Sequence, residues 1–281
     1  MASALDACGY EVRALVSREA AGARRAAARA GLKTLALGAG ELERLPAVEL
    51  LFISTPDDAL KETALALASL TKARARVALH TSGALSSEVL APLRERGYKV
   101  GSMHPLAAVS EARAGAQSLR RAFYCVEGDA AAARAARRVV RGLGGRSFTI
   151  ESRDKALYHA SALMTAGHTV ALFDIAASLL ARCGLAEREA RRVLLPLLRS
   201  AVENLARQTP ERALTGTFSR GDAETVRKHL AALVETGDAE ALSAYALLGG
   251  HSLRLAERRG GADAGRLESI ARLLAEVLEE G

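Results

Sequence analysis

The sequence is poor in the residue types that mark several classes of protein. It has no tryptophan, aromatic residues make up 4% of it, and only three of its 281 residues are cysteines. Scarce aromatic side chains leave few surfaces on which nucleic-acid bases could stack. Cys8, Cys125 and Cys183 are scattered, which argues against a disulfide framework or a zinc site and is typical of a reducing compartment. We therefore predict a cytoplasmic protein.

Long apolar runs and blocks of like charge are also missing. No uninterrupted apolar run reaches the roughly 18 residues of a membrane span, and the first residues lack the pattern of a signal peptide. The net charge of +7 comes mostly from arginines dispersed along alanine-rich segments, and no block of five Lys or Arg residues occurs. We therefore expect neither a membrane nor a nucleic acid among the partners of this chain.

The first half of the sequence alternates short apolar runs with helix-length patterns. The predicted strands are Glu11–Val16, Thr34–Leu37, Leu50–Ser54, Val77–His80, Lys99–Met103, Phe123–Glu127 and Ser147–Ile150. This alternation predicts parallel strands joined by crossover helices. After Ile150 only helical patterns follow, up to Glu280. We therefore predict an α/β Rossmann-like parallel-sheet domain over residues 1–150 and an all-α domain over residues 151–281.

One part of the predicted Rossmann unit is missing. The chain opens with a short helix, Ala2–Ala7, and the strand Glu11–Val16, which match the end of the first helix and the second strand of such a unit. No first strand and no G-x-G-x-x-G turn come before them, although this turn holds the pyrophosphate of a dinucleotide. We expect a truncated start, with the strand and the turn encoded upstream of Met1.

Several predicted strands end in polar or turn-forming residues. Thr55-Pro56-Asp57 follows one strand, Thr81-Ser82-Gly83 follows another, and His104 comes at the end of a third. The carboxyl ends of parallel strands share one edge of the sheet, and an open α/β sheet binds its ligand there. We expect the first two segments to bind a cofactor and His104 to contact a substrate. Alternatively, Asp57 or Asp58 caps the helix that begins there.

Ser17 and Arg18 follow the predicted strand Glu11–Val16. In NAD-binding Rossmann units, the residue at the end of this strand is an acid that accepts hydrogen bonds from the ribose hydroxyls. A hydroxyl and a guanidinium at this place can instead form charge-assisted hydrogen bonds to a phosphate. They therefore predict binding of NADP in preference to NAD. The alternative is an ordinary solvated arginine at the start of a helix.

The first long helical pattern carries candidate proton donors. Lys155 and His159 are four residues apart and share a helix face, and His168 follows two and a half turns later. Because a Lys or His facing a cleft can protonate a carbonyl oxygen, we predict that Lys155 and His159 are catalytic and that His168 contacts the substrate. A solvated lysine and a histidine at the core edge are the alternative. The six histidines lack metal-ligand spacing, so we expect no metal.

Four motifs occur in an order that resembles a known family. They are His80–Ser86, Ser102–Leu106, Leu157–Ala160, and Leu214–Gly216 with Ser219–Asp222. The sequence resembles Rossmann-like proteins with the domain of unknown function family 2520, which are described as NADP oxidoreductases without an assigned substrate. The resemblance implies a helical C-terminal domain similar to that of 6-phosphogluconate dehydrogenase relatives, usually a dimerisation element. In some of these relatives a lysine on the first helix after the Rossmann domain donates the proton, and Lys155 has that location.

Together these patterns predict an NADP-dependent oxidoreductase. It would transfer a hydride to or from a small carbonyl or imine substrate that carries a carboxylate, and it would act as a homodimer. The missing Gly-rich turn motivates an alternative, because it removes backbone donors that would bind the pyrophosphate. In that alternative the chain is a non-catalytic dimer that senses a dinucleotide or a metabolite on the same scaffold.

Overall fold

The computed structural model describes residues 1–109 and 117–280, and the chain divides into two compact units, Met1–Ala166 and Gly167–Gly281. The strands of the first unit are β1 (Ala14–Ser17), β2 (Leu35–Gly38), β3 (Val48–Ile53), β4 (Ala75–His80), β5 (Lys99–Leu106), β6 (Phe123–Gly128) and β7 (Arg146–Phe148). Its helices are α1 (Ala2–Asp6), α2 (Ala20–Ala30), α3 (Asp57–Ala68), α4 (Ala91–Glu95) and α5 (Ala130–Gly142), and α6 (Lys155–Arg182) begins in it. The seven predicted strands are confirmed, with ends that shift by a few residues.

The strands are hydrogen-bonded in two groups. β1 pairs with β2, and the other five follow the order β3-β4-β5-β6-β7. All pairs are parallel except β5 with β6, which is antiparallel. The prediction of parallel pairing is therefore wrong for this pair. Antiparallel strands need no crossover helix, and the sequence has no predicted helix between these two strands.

The strand order is that of a Rossmann sheet without its first strand. A Rossmann sheet has the order 3-2-1-4-5-6, in which β2 and β1 correspond to strands 3 and 2, and β3, β4 and β5 to strands 4, 5 and 6. Among the residues that the structure describes, no strand pairs with β1 and β3 between them. The guanidinium of Arg13 crosses this interval and donates a hydrogen bond of 3.0 Å to the backbone oxygen of Ala47.

Apolar clusters cover both faces of the larger sheet. On one face, Leu79 of β4 belongs to a cluster with Met103 of β5 and Val139 of α5. The preceding residue, Ala78, belongs to the cluster on the other face, which includes Leu60 of α3. Successive strand residues point to opposite faces, so helices bury the sheet on both sides. A ligand can then reach the strands only at an edge.

The described residues of the second unit form helices and the turns that connect them. It contains the rest of α6, followed by α7 (Glu187–Arg207), α8 (Pro210–Ala213), α9 (Ala223–Thr236), α10 (Ala239–Arg259) and α11 (Ala264–Glu280). Val226 and Leu230 of α9 pack with Leu253 of α10 and with Ile270 and Leu274 of α11. The prediction of a Rossmann-like sheet domain followed by helices is therefore confirmed.

Helices α6 and α7 present apolar side chains that the chain itself leaves exposed. Val170 and Leu197 are 69% and 68% exposed, and the others include Leu157, Met164, Val193, Val202 and Leu205. Residues 152–182 form the one helical segment, in the described part of the chain, that is long and apolar enough to cross a membrane. This finding rests on length and composition alone, with a mean hydropathy of 1.5 over the most apolar window.

Candidate active site

The carboxyl edge of the sheet gathers the polar residues that follow β3, β4 and β5, together with the first turn of α6. Lys155, the first residue of α6, is 2% exposed. Its Nζ donates to the backbone oxygen of Ser82 at 3.1 Å and to the Oγ of Ser102 at 2.9 Å. No carboxylate lies within ion-pair distance of it among the described residues. Burial lowers the pKa of Lys155, although nearby acidic groups, Glu127 among them, act in the opposite direction.

Gly83 brings two imidazoles together. The rings of His104, on β5, and His159, on α6, meet edge to face with centroids 5.8 Å apart. A Cβ atom added to Gly83 would lie 2.5 Å from Cδ2 of His159 and 2.8 Å from Nε2 of His104. Both imidazoles are half-buried. The absence of a side chain at Gly83 is therefore what allows both rings to approach the same turn.

His104 is held in the neutral form by its surroundings. Burial, and then the charge of Lys155, lower the pKa of His104 to about 4. Its Nδ1 lies 2.6 Å from the hydroxyl of Tyr158, whose pKa is raised by burial. The protonated hydroxyl and Nδ1 share this hydrogen bond, so Nε2 is the ring nitrogen of His104 that remains available next to Gly83.

His80 shapes the turn that contains Ser82 and Gly83. It is fully buried, and its Nδ1 accepts a hydrogen bond of 3.2 Å from the backbone nitrogen of Ser82. Burial and the charge of Lys155 lower the pKa of His80 to about 4. The neighbouring Thr81 donates its backbone N–H to the oxygen of Ile53 on β3. The turn after β4 is therefore fixed to the sheet and to the first residue of α6.

A buried carboxylate connects the elements around Lys155. Glu127, on β6, is 4% exposed. Its oxygens accept hydrogen bonds from the backbone nitrogen and hydroxyl of Ser87, at 2.7 and 2.8 Å, and from the hydroxyl of Ser152, at 3.0 Å. Ser152 opens the short turn that leads directly into α6. Glu127 therefore fixes the position from which Lys155 enters the site.

Sequence reasoning missed three residues of this cluster. Ser102 and Tyr158 lie within motifs that also contain the candidates His104 and His159. Their position in the sequence close to these histidines was therefore the signal that could have identified them. Glu127 had a different signal, because it is a lone acid directly after the apolar strand residues 124–126. A charged residue in a strand covered on both faces must be hydrogen-bonded.

Two predicted cofactor segments flank this cluster. At the end of β1, Ser17 donates its hydroxyl hydrogen bond to the oxygen of Glu19, while the Arg18 side chain is exposed and has no ion pair among the described residues. After β3, the Oγ1 of Thr55 is buried without a hydrogen-bond partner in the described part of the chain. Thr55 thus has an unused polar group at the sheet edge that faces ligands in this class of fold.

The predicted helix cap at Asp57 or Asp58 is wrong. The cap position of α3 is occupied by Pro56, which has no side-chain donor or acceptor, and both aspartates fall inside the first turn. There they interact favourably with the positive end of the helix dipole. His168 lies in the second unit, where its side chain is exposed.

The strand order, the polar carboxyl edge and the helical second unit define a Rossmann-like protein with an all-α C-terminal domain. Residues 1–105 match the model of the Rossmann-like domain, and residues 122–252 match the domain of unknown function DUF2520. The chain thus joins a Rossmann-like domain to a DUF2520 domain, which confirms the family resemblance of its motifs. No curated protein sequence matches the chain.

Solved structures share this fold over most of the chain. Protein TM1727 from Thermotoga maritima has a TM-score of 0.71 and 24% identity, covering 92% of this chain and 95% of that one. A "putative NADP oxidoreductase", BF3122 from Bacteroides fragilis, has a TM-score of 0.69 and 21% identity, covering 89% and 92%. The reductive aminase from Aspergillus terreus, in complex with NADPH and ethyl levulinate, has a TM-score of 0.56 and 16% identity, covering 100% and 91%. These likenesses establish the fold.

Proposed function

We propose that the protein is an NADP-dependent oxidoreductase that acts on a small carbonyl or imine substrate carrying a carboxylate. One observation carries this proposal: Lys155, His104 and His159 converge around Gly83 at the carboxyl edge of a Rossmann-like sheet. This edge is where open α/β sheets bind their ligands. Groups able to donate protons and to stabilise negative charge therefore lie where a substrate would meet a bound dinucleotide.

The residues at two places along this edge fit a dinucleotide. When bound, NADP would supply or accept the hydride. Ser17 and the exposed Arg18, which forms no ion pair with any described residue, would hold the 2′-phosphate at the end of β1. Thr55, whose buried Oγ1 has no hydrogen-bond partner in the described part of the chain, would border the nicotinamide together with Pro56, Asp57 and the turn Thr81-Ser82-Gly83.

The two imidazoles and Lys155 would have separate tasks in the reduction. His159 is half-buried and next to Gly83, so it would donate a proton to the carbonyl oxygen or imine nitrogen. His104, kept neutral, would donate a hydrogen bond to the same atom through Nε2. Lys155 is nearly inaccessible, and its buried positive charge would stabilise negative charge that develops above it. His168 would contact the substrate.

Two of the similar structures support this assignment. One is described as an NADP oxidoreductase, and the other contains NADPH with ethyl levulinate, a keto ester. They favour NADP as the cofactor and a carbonyl or imine as the reacting group.

A turnover assay tests the proposal. NADPH oxidation is followed with a panel of small 2-oxo acids and cyclic imino acids. We expect at least one substrate to be reduced, and His159→Asn to lower kcat by about 100-fold or more. The matched control, His251→Asn, changes an exposed histidine of α10 and should leave kcat unchanged. Binding of NADPH without turnover of any substrate would contradict catalysis and favour the non-catalytic sensor.

We also propose that the protein is a cytoplasmic homodimer. Its three cysteines are free thiols, as expected in a reducing compartment. The exposed apolar side chains of α6 and α7, such as Val170 and Leu197, form more apolar surface than a monomer usually leaves in water. A second copy of the chain would cover this surface.

A further inference from the structure

A concave basic surface lies at the amino edge of the larger sheet, opposite the carboxyl edge that holds the candidate active site. It forms an open cavity of about 580 Å³ that is lined by the starts of β4 and β5 and by residues of α5. Five cationic side chains line it, and we call this cavity the basic pocket: Arg76, Arg96, Lys99, Arg134 and Arg138. None of the described residues that line it is acidic.

The cations of the basic pocket are not neutralised by the chain. Arg96 donates a hydrogen bond to the backbone oxygen of Leu70, and the other four have no hydrogen bond or ion pair among the residues that the structure describes. Two arginines from the same region behave differently, since Arg74 pairs with Glu43 and Arg94 pairs with Glu88. Unpaired positive charges around one cavity repel one another, and this repulsion is unfavourable unless an anion is bound among them.

The rest of the lining defines the size and kind of anion. Small apolar residues, including Val77 and Ala135, line the pocket as well, and none of the described residues in the lining is aromatic. A cavity of this volume is within the range of small-molecule sites. Without aromatic rings it lacks the stacking surfaces that single-stranded nucleic acids use. The pocket therefore suits a small organic anion better than a nucleic acid.

We propose that the basic pocket binds a small phosphorylated metabolite that carries two or more phosphate groups. Arg134 and Arg138 are four residues apart on α5, so their guanidinium groups share one helix face and can bind one phosphate together. Lys99 and Arg76, at the starts of neighbouring parallel strands, also line the pocket and supply charge for a second phosphate. Guanidinium groups bind phosphate oxygens through paired, charge-assisted hydrogen bonds. The apolar lining residues would accommodate the organic part of the ligand.

Calorimetric titration with ADP, in the presence of a chelator, tests this site on the full chain. We expect Arg138→Ala to weaken ADP binding by about tenfold, the effect of losing one charge-assisted hydrogen bond. Arg141→Ala is the matched control, because Arg141 lies on the same helix but outside the pocket lining. The second control is the same titration in the presence of saturating NADPH, which would fill the cofactor cleft. Both controls should leave ADP binding within about twofold of the wild-type value.

Three outcomes would overturn the proposal. One is no ADP binding at millimolar concentration. Another is ADP binding that Arg138→Ala leaves unchanged, which would place ADP outside the basic pocket, and in the cofactor cleft if saturating NADPH abolishes it. The third is tighter binding of a short DNA duplex that Arg138→Ala and Arg141→Ala weaken equally, which would indicate a dispersed nucleic-acid surface. Because these readouts do not involve turnover, they are independent of the proposed oxidoreductase activity.

Discussion

At the scale of single residues, the candidate site depends on a positive charge that is almost completely withdrawn from water. Lys155 keeps its ammonium group on an oxygen of Ser82 and a hydroxyl of Ser102, both uncharged. Burial lowers the pKa values of His80 and His104, and the charge of Lys155 lowers them further. Burial also makes the influence of this charge stronger than it would be in water.

Gly83→Ala should impair the site while leaving the fold intact. The new Cβ would meet the rings of His159 and His104 at distances that no relaxed structure tolerates, so both imidazoles must move. We expect kcat/KM to fall by about 100-fold, since small displacements of catalytic groups have effects of this size. Gly40→Ala is the control, because a Cβ there meets nothing within 4 Å. Equal activity of the two variants would contradict the assigned role of Gly83.

Lys155→Met should abolish turnover without lowering the stability of the fold. Lys155 buries a charge that has no carboxylate partner among the described residues, whereas methionine fills a similar volume without a charge. The free energy of unfolding should therefore stay the same or rise by about 1 kcal/mol. Turnover should be lost, because the charge at the sheet edge is gone. Urea denaturation and the NADPH assay give the two readouts. A loss of more than about 2 kcal/mol would mean that Lys155 serves mainly the fold.

The lowered pKa values of His80 and His104 predict how stability depends on pH. Histidines of the unfolded chain titrate near 6.5, whereas these two titrate at about 4 in the folded chain. Between these values the unfolded chain binds more protons, so the free energy of unfolding falls as the pH falls from about 6.5 to about 4.

Urea denaturation at about pH 7 and about pH 5 measures this dependence. His104→Asn should make it shallower, because one of the two histidines no longer titrates. The control His251→Asn, at an exposed position, should leave the wild-type slope. An unchanged slope in His104→Asn would show that this ring is not kept neutral by the fold.

At the scale of helices and strands, Glu127 joins three elements around the site. It binds Ser87, in the short turn before α4, and Ser152, in the turn before α6. Glu127→Gln removes the negative charge that strengthens these hydrogen bonds, and the amide nitrogen can no longer accept from the hydroxyls of Ser87 and Ser152. We expect the free energy of unfolding to fall by about 2 kcal/mol. The exposed control Glu95→Gln should change it by less than about 0.5 kcal/mol, and a similar loss in both variants would contradict the role of Glu127.

Strands were predictable from the sequence because their apolar runs are continuous and bounded by turns, as at Leu50–Ile53. The direction of β6 was not, because direction depends on the connection and not on the strand's own residues. Helix starts follow the sequence only in part. Asp222, the last residue of the Ser219–Asp222 motif, caps α9 by accepting a hydrogen bond from the backbone nitrogen of Thr225. Asp57 has the same chemistry, but Pro56 takes the cap position.

The residues of the candidate site could also be predicted only in part, because some of its contacts join residues distant in the sequence. Strand ends and the Lys155–His159 spacing predicted most of its residues, since both follow from local periodicity. The contacts of Glu127 with Ser87 join residues 40 positions apart, and no local pattern encodes such a pairing. The neutral state of His104 likewise depends on burial by residues distant in sequence.

At the scale of the whole molecule, the exposed apolar faces of α6 and α7 predict self-association. Light scattering after gel filtration should give twice the chain mass of 29.5 kDa. Leu197→Lys places a charge on the 68% exposed side chain of α7 and should shift the mass toward one chain. The control Leu65→Lys alters an exposed leucine of α3 in the first unit and should leave the dimer. A single-chain mass for the wild type at micromolar concentration would contradict the homodimer.

The central claim is that this edge of the Rossmann-like sheet binds NADP, and cofactor titration tests it most directly. Dissociation constants for NADPH and NADH are measured for the wild type, for Arg18→Ala and for the control Arg29→Ala, an exposed arginine of α2. We predict that the wild type and the control bind NADPH about tenfold more tightly than NADH, and that Arg18→Ala loses most of this preference. Equal affinity of the wild type for the two cofactors, or no binding of either at millimolar concentration, would contradict the claim.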